Sequence, residues 1–292
     1  MISLKQLSVF SSIARHGNLG LAAENLFLSK GALSQSLAEL ERQLGTPLFD
    51  RAHPHLKINE QGRQLQPLAE EVLSRITDIE HLFDEAGEPT GKLRLGASQT
   101  IGNYLLPRLL AKQPGLQAEV CITNTYNLCE MLASFELDLA LIEGKNHHSS
   151  LTTQDWLTDE MLVVASPNHP LAGRKNLNLE ELSGYAWVLR ERGSGIREQF
   201  EYELLPKLKH LGHLLELNTL ESVMQSVEQN LGLAFVSKRA AKTRLLHQSL
   251  VAIHLTTEFS RSLKLVWHKQ KYHSALLRSF ITFCKNLGEP CD

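Results

Sequence analysis

The hydrophobic period of this chain changes once, and the change divides it. Up to residue 86 the apolar residues recur every three or four positions, as on an amphipathic helix. From residue 92 they alternate or gather in short blocks, as in strands. Gly87, Pro89 and Gly91 stand at the changeover and mark a linker. The chain's 292 residues also exceed the length at which one core usually stops growing. The spacing therefore predicts a helical N-terminal part joined to an α/β C-terminal part.

Within residues 1–59 the helical signals come in three pieces. Leu4, Leu7, Phe10 and Ile13 form a stripe that Gly17 ends. Asn18 is placed to cap a short second helix whose inner residues are Ala22, Ala23 and Leu26. Ser29 caps a third, with Leu33, Leu37, Leu40 and Leu44 as its buried stripe and Gly45 and Pro47 as its stop. Two short helices joined by the tight connection Leu26-Phe27-Leu28-Ser29, with small residues at the crossing, predict a helix-turn-helix. Off the stripe stand Ser29, Lys30, Ser34 and Gln35, whose hydroxyl, amine and amide groups suit phosphates and base edges. Arg51, His53, His55 and Lys57 flank Pro54 as in a short hairpin wing, and Arg51, His53 and Lys57 join the candidate DNA contacts. The partner implied is double-stranded DNA. The formal net charge of −2 excludes a bulk-basic nucleic-acid binder, so contact must come from a local surface. Over residues 1–65, Lys5, Arg15, Lys30, Arg42, Arg51, Lys57 and Arg63 give a small excess over Glu24, Glu39, Glu41, Asp50 and Glu60.

Residues 60–88 read as one long linker helix. Leu65, Leu68, Val72, Ile76, Ile79 and Phe83 form a single apolar seam, and Pro67 is expected near the start, where a missing amide costs least. With no other nearby element to cover it, the seam predicts dimerisation on a second copy, with tetramers by further contacts. A two-fold pair of reading heads predicts a partially palindromic operator. RNA polymerase is a further candidate partner.

Beyond residue 91, KLRLGAS, AEVCITNT, LDLALIEG, MLVVASP, YAWVLRER, GLAFVSK and LKLVWHK read as strands with helices between them. Ser98-Gln99-Thr100 and Arg192-Gly193-Ser194-Gly195-Ile196-Arg197 each follow a strand and open a helix. Hydroxyls and free amides at such a helix start suit an anion. The other readings are ordinary N-capping for Ser98-Gln99-Thr100 and surface ion pairing for Arg190, Arg192 and Arg197. No eighteen-residue apolar run or secretory leader is seen, which predicts a cytoplasmic protein without membrane contact. Cys121, Cys129, Cys284 and Cys291 form no C-x-x-C pair and read as reduced thiols, buried and inert, with a redox switch between Cys121 and Cys129 as the alternative. His147, His148, His169, His210 and His213 lack a ligand framework, so neither metal nor cofactor is expected.

The run Ala22-Ala23…Leu26, Ser29-Lys30-Gly31-Ala32-Leu33-Ser34-Gln35, Leu40-Glu41, Leu44-Gly45 and Leu48-Phe49-Asp50-Arg51 closely resembles the LysR-type transcriptional regulators, and the likeness extends along the whole chain. It implies an all-α winged helix-turn-helix plus long linker helix, followed by a two-lobed α/β periplasmic-binding-protein-like effector domain over 91–292. Lobe I would span about 91–162 and 268–292, and lobe II about 163–267. The two anion-type turns would then face one cleft from opposite lobes. Ser98, Gln99, Thr100, Glu143, Arg192, Ser194 and Arg197 become candidate contacts for a small anionic effector. The strings Ala97-Ser98-Gln99-Thr100-Ile101-Gly102-Asn103-Tyr104, Ile142-Glu143-Gly144 and Leu189–Glu198 are similar to the CysL/YeiE-like branch, which implies a sulfur oxyanion. Two departures stand out. Gly31 replaces the usual proline or serine and weakens its helix by about 1 kcal/mol relative to alanine. Asn59 stands where threonine is usual. The reading is a ligand-responsive transcriptional regulator and not an enzyme. The alternative is a solute-binding or enzymatic α/β module that uses the winged helix only for assembly.

Overall fold

The computed structural model describes residues 1–52, 55–80, 82 and 91–287; His53 and Phe83, named above, lie outside the described residues. The head consists of α1 (Leu4–His16), α2 (Leu19–Asn25), α3 (Lys30–Leu44) and an antiparallel wing of β1 (Phe49–Ala52) and β2 (His55–Ile58). Each helix starts on a side-chain cap: Ser3 in a reciprocal capping box with Gln6, then Asn18, then Ser29. Gly17 and Gly45 close α1 and α3 with φ of 59° and 70°, a conformation in which a Cβ is costly. Phe10, Ile13, Ala22, Leu33, Leu37, Leu40 and Phe49 form one core beneath them.

The linker helix α4 (Glu60–Glu80) starts on Asn59. The Asn59 carboxamide oxygen accepts from the Gly62 amide at 2.9 Å, and its amide donates to the Pro47 carbonyl at 2.9 Å. Asparagine thus caps the helix and ties it to the end of the head. Pro67 corrects the sequence expectation. It is buried well inside α4, not in the first turn, so the helix runs through a position that has no amide to give.

The α/β part begins with β3 (Lys92–Ala97), α5 (Gln99–Tyr104), α6 (Leu106–Ala111), β4 (Gln117–Ile122), α7 (Thr125–Ala133) and β5 (Leu139–Ile142). The long strand β6 (Leu151–Ala165) leaves this lobe. The second lobe holds β7 (Trp187–Arg190), α8 (Gly195–Gln199), β8 (Leu214–Leu217), α9 (Leu220–Glu228), β9 (Ala234–Ser237), α10 (Lys238–Leu246) and β10 (Val251–Ala252). Then β11 (Phe259–His268) returns and α11 (Ala275–Asn286) closes lobe I. The main sheet runs β10-β6-β11-β5-β3-β4, with β9 also on β6; β7 and β8 pair separately.

Strands β6 and β11 pair antiparallel and thread both lobes. Leu157, Leu263 and Leu265 belong to the lobe I core, whereas Met161, Val163 and Phe259 belong to the lobe II core. The crossings therefore fall at residues 157–161 and 259–263. The return crossing lies earlier than the position near 268 read from sequence, because a single strand serves both cores; the register of β11 on β6 shifts between Leu263 and Lys264, next to that crossing.

Candidate DNA-binding face and effector cleft

On α3 the residues Leu33, Leu37 and Leu40 face inward, and Ser29, Lys30, Ser34 and Gln35 are exposed. Ser29 already spends its hydroxyl on the Ala32 amide at 3.2 Å, so its role is to start the helix. In the wing, Asp50 pairs with Lys57 and Arg51 with Leu56 in register; Lys57 is exposed. The structure thus puts Lys30, Ser34 and Gln35 on the free side of the head's third helix.

The linker helix has two faces. Leu68, Val72 and Ile79 are exposed at 61%, 40% and 61%, while Leu65 and Ile76 are half-buried. Gln66, Pro67, Ala69 and Glu70 are buried on the other side. That buried face is bolted to lobe I at three heights. The Gln66 amide donates to the Ser134 carbonyl at 2.6 Å, and Glu70 pairs with Arg94 at 3.1 Å. Higher up, Asp78 accepts from the Tyr272 hydroxyl at 3.0 Å. Sequence reasoning did not find this second face, because its members are polar and their partners are 24 to 197 residues away along the chain.

The effector turns sit at the carboxyl ends of the parallel strands β3, β4 and β5, the edge where open α/β sheets bind ligands. Ser98 follows β3 and is 1% exposed; Thr125 opens α7 after β4; Glu143 follows β5. Lobe II brings Gly193, Ser194 and Gly195 against them. The Tyr126 amide donates to the Gly193 carbonyl at 3.1 Å. A Cβ on Gly195 would come within 2.7 Å of the Glu143 carbonyl oxygen and the Gly144 nitrogen. Only glycine permits the lobes to close this far.

Three hydroxyls at this junction, Ser98 Oγ, Thr125 Oγ1 and Ser194 Oγ, are buried and have no hydrogen-bond partner. A buried hydroxyl without a partner carries a desolvation cost that a bound ligand relieves. Thr125 and Ser194 also line a cavity of about 520 Å³, whose other charged and titratable lining mixes Lys145, His147, His148, Arg192 and Arg197 with Glu130, Glu198 and Glu201.

The remaining candidates have other employment. Gln99 crosses the cleft: its oxygen accepts from the Leu220 amide at 2.7 Å and its amide donates to the Asn218 carbonyl at 3.0 Å. Arg197 pairs with Glu201 at 2.6 Å and Glu216 at 3.3 Å, and Arg190 with Glu191 at 2.7 Å, which is the ion-pairing alternative. Arg192 is exposed at the cavity rim. Glu143 and Thr100 both accept from Arg261 Nη2, at 2.9 and 3.3 Å, and Arg261 Nε donates to the fully buried Asp159 at 2.9 Å. Arg261 and Asp159 lie on the two crossing strands and went unread in the sequence. No short motif flags them, and only the strand register brings them together. Thr125 was missed because the sequence places it after an unremarkable strand. Burial pushes the Cys129 thiol up to about 11, with Glu130 and Glu198 adding to it, and burial likewise raises Cys121, so both remain thiols at neutral pH. Among the described residues no cluster of metal-ligating side chains occurs, and no helix is long and apolar enough to cross a membrane.

A head of this form on a two-lobed sensor defines a DNA-binding regulator that carries an effector cleft. Residues 4–63 match the bacterial regulatory helix-turn-helix proteins of the lysR family, and residues 86–288 match the LysR substrate binding domain. The chain belongs to the LysR-type transcriptional regulators, and the enzymatic alternative falls with that assignment. It is 38% identical over 295 residues to YeiE of Escherichia coli (strain K12), described as an uncharacterized HTH-type transcriptional regulator, covering 99% of each chain. It is 30% identical to the HTH-type transcriptional regulator CysL of Bacillus subtilis, covering 96% of each. Among solved structures, full-length OxyR from Pseudomonas aeruginosa matches with a TM-score of 0.77 at 22% identity, over 97% of this chain and 94% of that one.

Proposed function

We propose that this regulator is switched by a small anion, such as a sulfur oxyanion, held in the cleft between its lobes. The observation that carries this reading is the set of three buried hydroxyls without partners, Ser98, Thr125 and Ser194, drawn from both lobes. Donors fixed at a closed junction suit an oxyanion, whose several oxygens accept from more than one side at once. Three of the carboxylates around the site are paired, Glu143 with Arg261, Glu198 with His147 and Glu201 with Arg197, which offsets their repulsion; Glu130 also lines the cavity. Closing the lobes on the anion biases lobe II against lobe I, and the anion shifts that equilibrium only by its differential affinity for the two states. Lobe I carries α4 and the head with it. The resemblance of the strings around Ser98, Glu143 and Arg192 to the CysL/YeiE-like branch is the reason to test sulfur oxyanions first.

The working unit in this reading is a cytoplasmic homodimer or homotetramer joined through the exposed seam of α4, bound to a partially palindromic operator through Lys30, Ser34, Gln35, Arg51 and Lys57. A thermal-shift screen of sulfite, sulfate, thiosulfate and phosphate tests the effector reading. A ligand specific to the folded state raises the melting temperature with concentration. No shift with any of them counts against the anion.

A further inference from the structure

Gly31 has no use inside the head. It lies in the first turn of α3, it is exposed, and its φ is an ordinary helical one, so no left-handed turn requires glycine here. A Cβ built on it would meet nothing within 4 Å. Other glycines of the head show what a structural need looks like: Gly17 and Gly45 take positive φ, and a Cβ on Gly62 would come within 2.4 Å of the Leu48 carbonyl oxygen. At Gly31 alanine would fit and would strengthen the helix.

Residues three and four positions on share its face, and these are Ser34 and Gln35, both exposed. Lys30 does not cover the spot. Its Cε and Nζ lie against the start of α2, 3.2 and 3.4 Å from where a Cβ on Gly20 would be. The result is bare helix backbone at the tip of the DNA-facing surface.

We propose that Gly31 is a specificity-determining position, where the backbone of α3 itself meets the major groove. With no Cβ between helix and base edges, α3 seats deeper, and Ser34 and Gln35 reach hydrogen-bonding groups that a side chain at 31 would hold out of range. The inference rests on the reading of α3 as the DNA-contacting helix.

The test uses full-length protein and a site selected from random-sequence duplex DNA. Gly31→Ala is compared with wild type and with Gln35→Ala for affinity to the selected site, for affinity to unrelated duplex, and for melting temperature. The expected result is a Gly31→Ala protein with a higher melting temperature, at least tenfold weaker binding to the selected site, and unrelated-duplex binding within about twofold of wild type. If Gly31→Ala binds the selected site as wild type does while Gln35→Ala loses it, the DNA face stands and the role of Gly31 is overturned. If neither change affects the selected site, the inference falls together with the assignment of α3.

Discussion

Arg15 of the head and Glu70 of the linker helix meet at 2.8 Å, and Glu70 is only 5% exposed. The same carboxylate accepts Arg94 and faces Lys271 from lobe I, while Asp138 takes Arg94 at 2.6 Å and Lys271 at 2.7 Å. Burial alone would push the Glu70 carboxyl up, but Arg15, Lys271 and Arg94 more than reverse it and hold it below the usual carboxylate range. Three cations from three parts of the chain thus converge on one side chain of α4. Glu70→Gln leaves Arg15 without this carboxylate and Arg94 and Lys271 with Asp138 alone, and is expected to cost about 3 kcal/mol. The measurement is the urea midpoint of the full chain. Arg42→Ala, which breaks only the exposed pair with Glu39, should leave that midpoint unchanged.

His268 makes the stability of the fold depend on pH. It stacks on Phe135 at 4.2 Å between ring centroids, and burial lowers its pKa to about 4, with His148 and Lys271 adding to the effect. The unfolded chain takes up this proton near pH 6.5, the folded chain only near 4. The neutral ring therefore contributes stability above 6.5, and the contribution is lost as pH falls from 6.5 to 4, on the order of 3 kcal/mol in all. Stability measured across that window should fall less steeply in His268→Gln than in wild type. An equal slope in both would remove His268 from the account.

The seam of α4 predicts the oligomer. Ile79 is 61% exposed in the single chain, so Ile79→Glu should leave the fold intact. Sedimentation should show it as a smaller species than wild type, with operator binding lost. An unchanged sedimentation coefficient would place the dimer contact elsewhere.

For DNA, Lys57 and Gln35 should behave differently. Lys57→Ala should weaken all duplexes alike and lower the slope of log affinity against log salt by about one unit, the mark of a phosphate contact. Gln35→Ala should keep the slope and change the preferred bases. Fluorescence anisotropy over a salt series separates the two.

Sequence reasoning reached the head almost whole. Its caps at Asn18 and Ser29, its stops at Gly17 and Gly45, and its stripe at Leu33, Leu37 and Leu40 are all local signals; the Ser3–Gln6 capping box of α1 went unread. The cleft was legible only in part. Ser98 and Ser194 sit in turns that the chain announces, but Thr125 depends on β4 lying beside β3, and the Arg261–Asp159–Glu143 network depends on the register of β6 and β11. Gln99 and Arg197 showed the right chemistry at the right turns, yet lobe II carbonyls and carboxylates engage them, and composition carries no trace of that.

The cleft hydroxyls are the centre of the account, and calorimetry tests them most directly. Wild-type protein is titrated with sulfite, sulfate, thiosulfate and phosphate beside a variant carrying Ser98→Ala, Thr125→Val and Ser194→Ala. These changes remove the three partnerless hydroxyls and break no hydrogen bond that holds the fold. The account predicts binding of at least one anion near micromolar, about −8 kcal/mol, weakened at least tenfold in the variant while DNA binding persists. Equal affinity in both proteins would contradict it.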